Sequence, residues 1–221
     1  MLSVDAAYLA IEKSGIMAGM RGNFPPETAL KVCETLMEAG INVFEFTHNS
    51  VQPIEAMTAV KQAFGDDACI GMGTVLDLDT ARRVLDAGPD FIVSPAFQPD
   101  IVTIVQNAGV MMGPGVLTPT EIVTAWNMGV KLVKLFPIGT LGVDHFKQIR
   151  GPLDHIKYMC NGGTHDGNVG DFIRAGATAC GLGSWLTGDG SMPLETIQLR
   201  AKKLRAEVED ARAHRKNMVR V

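Results

Sequence analysis

Apolar residues along this chain fall into short blocks, separated by longer stretches in which they recur every three or four positions. Eight blocks stand out: Gly15–Arg21, Asn42–Thr47, Cys69–Val75, Phe91–Pro95, Val110–Val116, Leu132–Pro137, Ile156–Gly163 and Ala179–Trp185. Each is short and nearly continuous rather than strictly alternating, the pattern of strands buried on both faces of a parallel sheet. They begin near residues 15, 42, 69, 91, 110, 132, 156 and 179, at intervals of about 19–27 residues. Each interval fits one strand, one helix and two short loops.

The intervening stretches read as helices. Residues 25–39 open on Pro25-Pro26, place Leu30, Val32, Cys33, Leu36 and Met37 largely on one stripe, and stop at Gly40. Residues 77–87 stop at Gly88, 118–128 at Gly129, and 168–175 at Gly176. Thr118 is an N-cap candidate with Glu121 at capping-box spacing. Eight such units predict an α/β fold, a (βα)8 TIM barrel with an extra N-terminal helix, as a single domain over residues 1–221. The first ~14 residues are amphipathic and suit a helix closing the lower end of the barrel. Residues 193–218 read as a long charged final helix with one apolar face. A doubly wound open sheet is the rival; it would usually carry a glycine-rich phosphate turn after the first strand, and none is there.

Composition adds limits. The chain has 221 residues, 46% hydrophobic and 20% charged, with a formal net charge of −4. That balance gives no broad drive toward nucleic acid or anionic lipid. No apolar run reaches the ~20 residues that span a bilayer, and no signal peptide is evident. The four cysteines, Cys33, Cys69, Cys160 and Cys180, form no C-x-x-C pair or zinc-type cluster, which suits buried reduced thiols in a cytoplasmic protein. The 24 glycines exceed the roughly 15 of average usage. Some are the helix stops; others sit at strand ends.

Active sites of such barrels lie at the C-terminal ends of the strands. Lys134 interrupts the apolar block Leu132–Pro137. A buried lysine is costly unless paired or neutral, and a neutral amine can attack a ketone to form a Schiff base, an electron sink for breaking a neighbouring carbon–carbon bond. A lysine whose head reaches solvent or a carboxylate at the barrel mouth reads the same way in sequence. Lys131 precedes the block and faces outward. Glu45, inside Val43–Thr47, is either a general acid/base or an ion-pair partner of Lys134 or Arg21. The last two strands end in Asn161-Gly162-Gly163-Thr164 and Gly181-Leu182-Gly183-Ser184, where open backbone N–H groups and a hydroxyl suit phosphate or carboxylate. Gly71–Thr74 is a third open strand end, and Arg21 supplies a cation after the first strand. Glu45 and His48 lack further ligands at metal spacing, so no metal is expected.

Taken together, these segments resemble the 2-keto-3-deoxy-6-phosphogluconate (KDPG) and 4-hydroxy-2-oxoglutarate (KHG) aldolases, which are class I aldolases. The resemblance runs from about residue 15 to 188. It is carried by Ala39–Thr47, Gly71–Leu76, Phe91–Pro95, Pro114–Val116, Val130–Pro137, Asn161–Gly163 and Gly183–Leu186 in that order. It implies a homotrimer of barrels without metal or other cofactor, with Lys134 forming the Schiff base and Glu45 as acid/base. Arg21, Thr47, Thr74, Pro95 and Phe136 would bind a small-molecule keto acid, and Gly162, Gly163, Gly183 and Ser184 its phosphate. The implied reaction is reversible cleavage of a 2-keto-4-hydroxy sugar acid to pyruvate and an aldehyde such as glyceraldehyde 3-phosphate.

Four positions depart from the family. Asn49 stands in the substrate-binding place where an arginine is usual, and cannot supply its cation or fork. Asn161 replaces a threonine. Thr164-His165 replaces an apolar residue and serine. The lysine chemistry is unaffected, but a different or non-phosphorylated keto acid is an alternative substrate. A non-catalytic barrel binding sugar-acid phosphates is a further alternative, which predicts an unreactive Lys134.

Overall fold

The computed structural model describes residues 1–218. Helix α1 (Val4–Ser14) leads into strand β1 (Ile16–Met20), and strands and helices then alternate. They are α2 (Pro26–Glu38), β2 (Val43–Thr47), α3 (Pro53–Phe64), β3 (Cys69–Gly73), α4 (Leu78–Asp86), β4 (Phe91–Val93) and α5 (Pro99–Asn107). The fifth block gives two short strands, β5 (Met111–Gly113) and β6 (Gly115–Val116), followed by α6 (Pro119–Asn127). Then come β7 (Val133–Leu135), α7 (Gly142–Arg150), β8 (Tyr158–Asn161), α8 (Val169–Arg174), β9 (Ala179–Leu182), α9 (Ser184–Thr187) and α10 (Leu194–Met218).

All recorded pairings are parallel, in the order β5-β4-β3-β2-β1-β9-β8-β7-β6. The two ends of that order are successive in the chain, joined through Pro114, so the sheet wraps into a nearly closed barrel. The open-sheet rival is thereby excluded. Eight strands were expected and nine are found, because proline has no N–H for the ladder. Pro114 still contributes its carbonyl, which accepts the Lys134 N–H at 2.9 Å. The wall therefore continues past the break to the strand that carries the lysine.

Two apolar layers hold the barrel. The larger lies between strands and helices and includes Phe44, Phe46, Ile70, Phe146, Tyr158 and Phe172. The smaller fills the lower lumen with Met17, Val43, Cys69, Phe91, Val93, Met111, Leu132, Met159 and Ala179, and α1 closes it from below with Ala7 and Ile11. The N-terminal helix thus caps the bottom, as its amphipathic pattern predicts. Helix α10 packs between α8 and α2, the place of an eighth barrel helix. Its apolar face is Ile197, Ala201, Leu204, Val208 and Ala211, spaced by three and four. Arg205 donates to the Ser14 carbonyl and Arg212 to the Lys13 carbonyl, each at 2.7 Å, satisfying orphan acceptors at the end of α1. Lys131 faces outward and pairs with Asp5 at 3.1 Å.

The four glycines read as helix stops, Gly40, Gly88, Gly129 and Gly176, all have positive φ, which lets the chain reverse out of each helix. Among the described residues no helix is long and apolar enough to cross a membrane. The four cysteines are buried free thiols. Burial pushes the Cys33 and Cys160 thiols well above the ordinary range, so they are poor nucleophiles.

Candidate active site

Side chains alternate along a strand, so the floor residues determine which neighbours also face the lumen. Val43 on β2 puts Glu45 and Thr47 on that face; Leu132 puts Lys134 and Phe136 there; Met159 puts Asn161 there. These side chains open into a cavity of about 510 Å³ at the C-terminal ends of the strands.

At its base the Lys134 Nζ lies 3.2 Å from Glu45 Oε1 and donates to it. Lys134 is 4% exposed and Glu45 3%, so the pair is nearly withdrawn from bulk water. Removal of either partner would leave a buried uncompensated charge. Nζ also lies 5.7 Å from the Phe136 ring centroid, within cation–π range. Room for the carboxylate comes from the missing side chain of Gly73, where a Cβ would come within 1.8 Å of Glu45 Oε1; one at Gly19, 3.8 Å from Oε2, would make only ordinary contact. Neither glycine was among the site residues read from sequence.

Above this pair sits Arg21. Its Nη1 donates to Asn49 Oδ1 at 2.8 Å and its Nη2 to Thr74 Oγ1 at 3.2 Å. Thr74 has φ 62°, a left-handed conformation costly for a β-branched residue, of order 1–3 kcal/mol. It holds its hydroxyl under the guanidinium. Thr47 is buried, and its hydroxyl donates to the Met20 carbonyl (3.2 Å) and shares a 2.7 Å hydrogen bond with Ser50. It ties the ends of β1 and β2 together.

At the far side, the turn after β8 has both Gly162 and Gly163 at positive φ. The carbonyls of Asn161 and Gly162 accept from Ile138 and Gly139 N–H groups at 3.0 and 2.7 Å, and that of Gly163 from the Asn168 amide at 3.0 Å. With the carbonyls so engaged, the Gly162 and Gly163 N–H groups have no protein acceptor among the described residues. Gly183 and Ser184, after the neighbouring strand β9, line the same cavity beside them. Thr164 Oγ1 donates to the Gly181 carbonyl, joining the two turns.

Every site residue read from sequence lines this cavity except Asn49, which is exposed and stands behind Arg21. The cavity also takes in Gly19, Asn161, His165 and Trp185. Asn161 opens the strand end read from sequence as suited to phosphate, and His165 is one of the departures from the family pattern. Among the described residues no group of three His, Cys, Asp or Glu side chains is arranged to hold a metal ion.

The profile of the KDPG and KHG aldolase family matches residues 13–198. The chain belongs to this family. A 2-dehydro-3-deoxy-phosphogluconate aldolase of Treponema pallidum is 33% identical over 162 residues, 72% of this chain and 76% of the relative. A 2-dehydro-3-deoxy-6-phosphogalactonate aldolase of Escherichia coli is 31% identical over 195 residues, 88% and 95% of the two chains. Among solved structures, one described as native KDPGal superposes with a TM-score of 0.84 at 29% identity, covering 89% of this chain and 95% of the other. The matched segment contains every KDPG/KHG-type residue named above and ends inside α10, early in that helix.

Proposed function

We propose that this chain is a class I aldolase that reversibly cleaves a phosphorylated 2-keto-3-deoxy-4-hydroxy sugar acid to pyruvate and an aldehyde. The observation that carries the reading is the buried Lys134–Glu45 pair at 3.2 Å, at the base of a cavity whose mouth holds a cation on one side and unpaired backbone N–H groups on the other.

Lys134 Nζ, having passed a proton to Glu45, attacks the C2 carbonyl of the substrate to give a carbinolamine. Glu45 returns the proton to the departing hydroxyl, water leaves, and a protonated imine remains. Glu45, again a carboxylate, takes the C4 hydroxyl proton, and the C3–C4 bond breaks. The electron pair moves into the imine, the aldehyde departs, and an enamine is left on Lys134. Glu45 returns that proton to C3, and hydrolysis of the imine releases pyruvate and restores the amine. Pro95 and Phe136 wall the reacting carbons, and Thr47 keeps the β1 and β2 ends in register. Arg21, oriented by Asn49 and Thr74, holds the C1 carboxylate in place of the arginine that the family usually carries at position 49. Gly162, Gly163, Gly183 and Ser184 receive the phosphate.

Borohydride reduction in the presence of pyruvate tests the reading. Mass spectrometry is expected to find a reduced adduct on Lys134 that Lys134→Ala abolishes, and Glu45→Gln is expected to lower kcat by about 10²-fold or more. No adduct at saturating pyruvate removes the mechanism. We further propose, on the family resemblance, a homotrimer of single-domain barrels, and, from the buried free thiols, a cytoplasmic setting.

A further inference from the structure

The cavity holds one imidazole, His165, in the turn after β8. Its orientation follows from its hydrogen bonds. The backbone N–H of Gly167 donates to His165 Nδ1 at 2.9 Å, so Nδ1 carries a lone pair and the ring proton sits on Nε2. Nε2 has no partner among the described residues, the side chain is 48% exposed, and His165 is one of the residues lining the cavity. The loop beneath it is fixed: the Asn168 side chain accepts the His165 N–H at 2.9 Å and donates to the Gly163 carbonyl at 3.0 Å. One residue therefore ties the imidazole to the same turn that presents the Gly162 and Gly163 N–H groups.

Local charge permits an anion there. Asp166 Oδ1 lies 3.8 Å from His165 Nδ1, on the side of the ring away from Nε2. Its other oxygen is held by Lys203, which keeps the Asp166 carboxyl below its ordinary range as a compensated ion pair. The ring is held by the Gly167 N–H, and the acidic residue, its charge compensated by Lys203, leaves the mouth open to a phosphate.

We propose that His165 is a specificity-determining residue, donating its Nε2–H to the anionic group at the distal end of the substrate. The assignment rests on the aldolase reading above and adds a side-chain donor to the backbone donors of the two glycine turns. A hydrogen bond to a charged group is worth about tenfold or more in transition-state binding.

The test compares kcat/KM for a phosphorylated 2-keto-3-deoxy sugar acid with that for its non-phosphorylated counterpart, in wild type, His165→Ala and His165→Gln. The ratio of the two values is expected to fall about tenfold in His165→Ala. It is expected to recover most of the way in His165→Gln, whose amide nitrogen stands near the Nε2 position. A ratio within twofold of wild type in His165→Ala overturns the proposal, as does His165→Gln falling equally far. Borohydride trapping with pyruvate, which has no distal group, is run alongside. An adduct with an unchanged ratio sinks the His165 assignment alone; no adduct in wild type sinks the aldolase reading and this assignment with it.

Discussion

Glu45 keeps its place because its neighbour Gly73 has no side chain. The carboxylate fills the space where a Cβ on Gly73 would stand, 1.8 Å from Oε1, and a contact so short forces a group to move. Gly73→Ala is therefore expected to push the carboxylate off Lys134 and reduce kcat by about 10²-fold, the usual contribution of a positioned acid/base, while far-UV circular dichroism stays native. Wild-type kcat in that variant would show that Glu45 acts equally well from elsewhere. Lys134 and Glu45 were legible in the sequence because a charge inside an apolar block has few explanations. Gly73 was read as part of an open strand end; that it makes room for Glu45 depends on the register of β2 against β3, which pairs Glu45 with Gly71 and Thr47 with Gly73. Asn49 was read as a direct substrate contact, and the structure puts it behind Arg21, because the chain turns at Thr47–Ser50 and leaves its amide facing the guanidinium. Trp185 went unnoticed because an aromatic at a strand end reads first as core.

Element boundaries follow from signals that act locally. Pro119, Thr118 and Glu121 start α6 through a full capping box: Thr118 Oγ1 accepts the Glu121 N–H, and Glu121 Oε2 accepts the Thr118 and Leu117 N–H groups at 2.8 and 2.9 Å. The Thr118 N–H, then that of Leu117, holds the Glu121 carboxyl below its ordinary value. A depressed folded pKa means that the stabilisation is present in full above the unfolded value and is lost as pH falls through the folded one. Thr118→Ala is expected to cost about 1 kcal/mol at neutral pH. The gap in Tm between wild type and Glu121→Ala is expected to be present at pH 7 and to narrow as pH drops below about 4. A gap that persists unchanged at pH 3 would show that the carboxylate's charge plays no part. The capping box was visible from spacing alone, as were the strand starts. The break at Pro114 was not inferred, because a proline between two glycines in an apolar run leaves the hydrophobic pattern intact and only the hydrogen-bond ladder registers it. The single turn of α9 was missed for a similar reason: four residues are too few for a helical period to show.

At the scale of the whole molecule, the barrel separates stability from chemistry along its axis. The lower lumen is apolar and closed by α1, the upper lumen is polar and open, and Lys134 and Glu45 mark the boundary. The excess of glycine divides the same way. Helix stops shape the outer shell, while strand-end glycines keep the mouth wide enough for a ligand. Ile11 tests the separation. It is fully buried against the floor residues, so Ile11→Ala removes packing around which the bottom cannot easily collapse, and is expected to lower unfolding free energy by about 2–4 kcal/mol in urea titrations. Because the strands between floor and mouth are joined by eight parallel pairings, the cavity should keep its shape while the protein remains folded. Turnover at 25 °C in the absence of denaturant is then expected to stay within about twofold of wild type. A loss of kcat/KM in step with the loss of stability would mean that the floor sets the geometry of the Lys134–Glu45 pair. The bottom helix would then belong to the catalytic apparatus as well as to the fold.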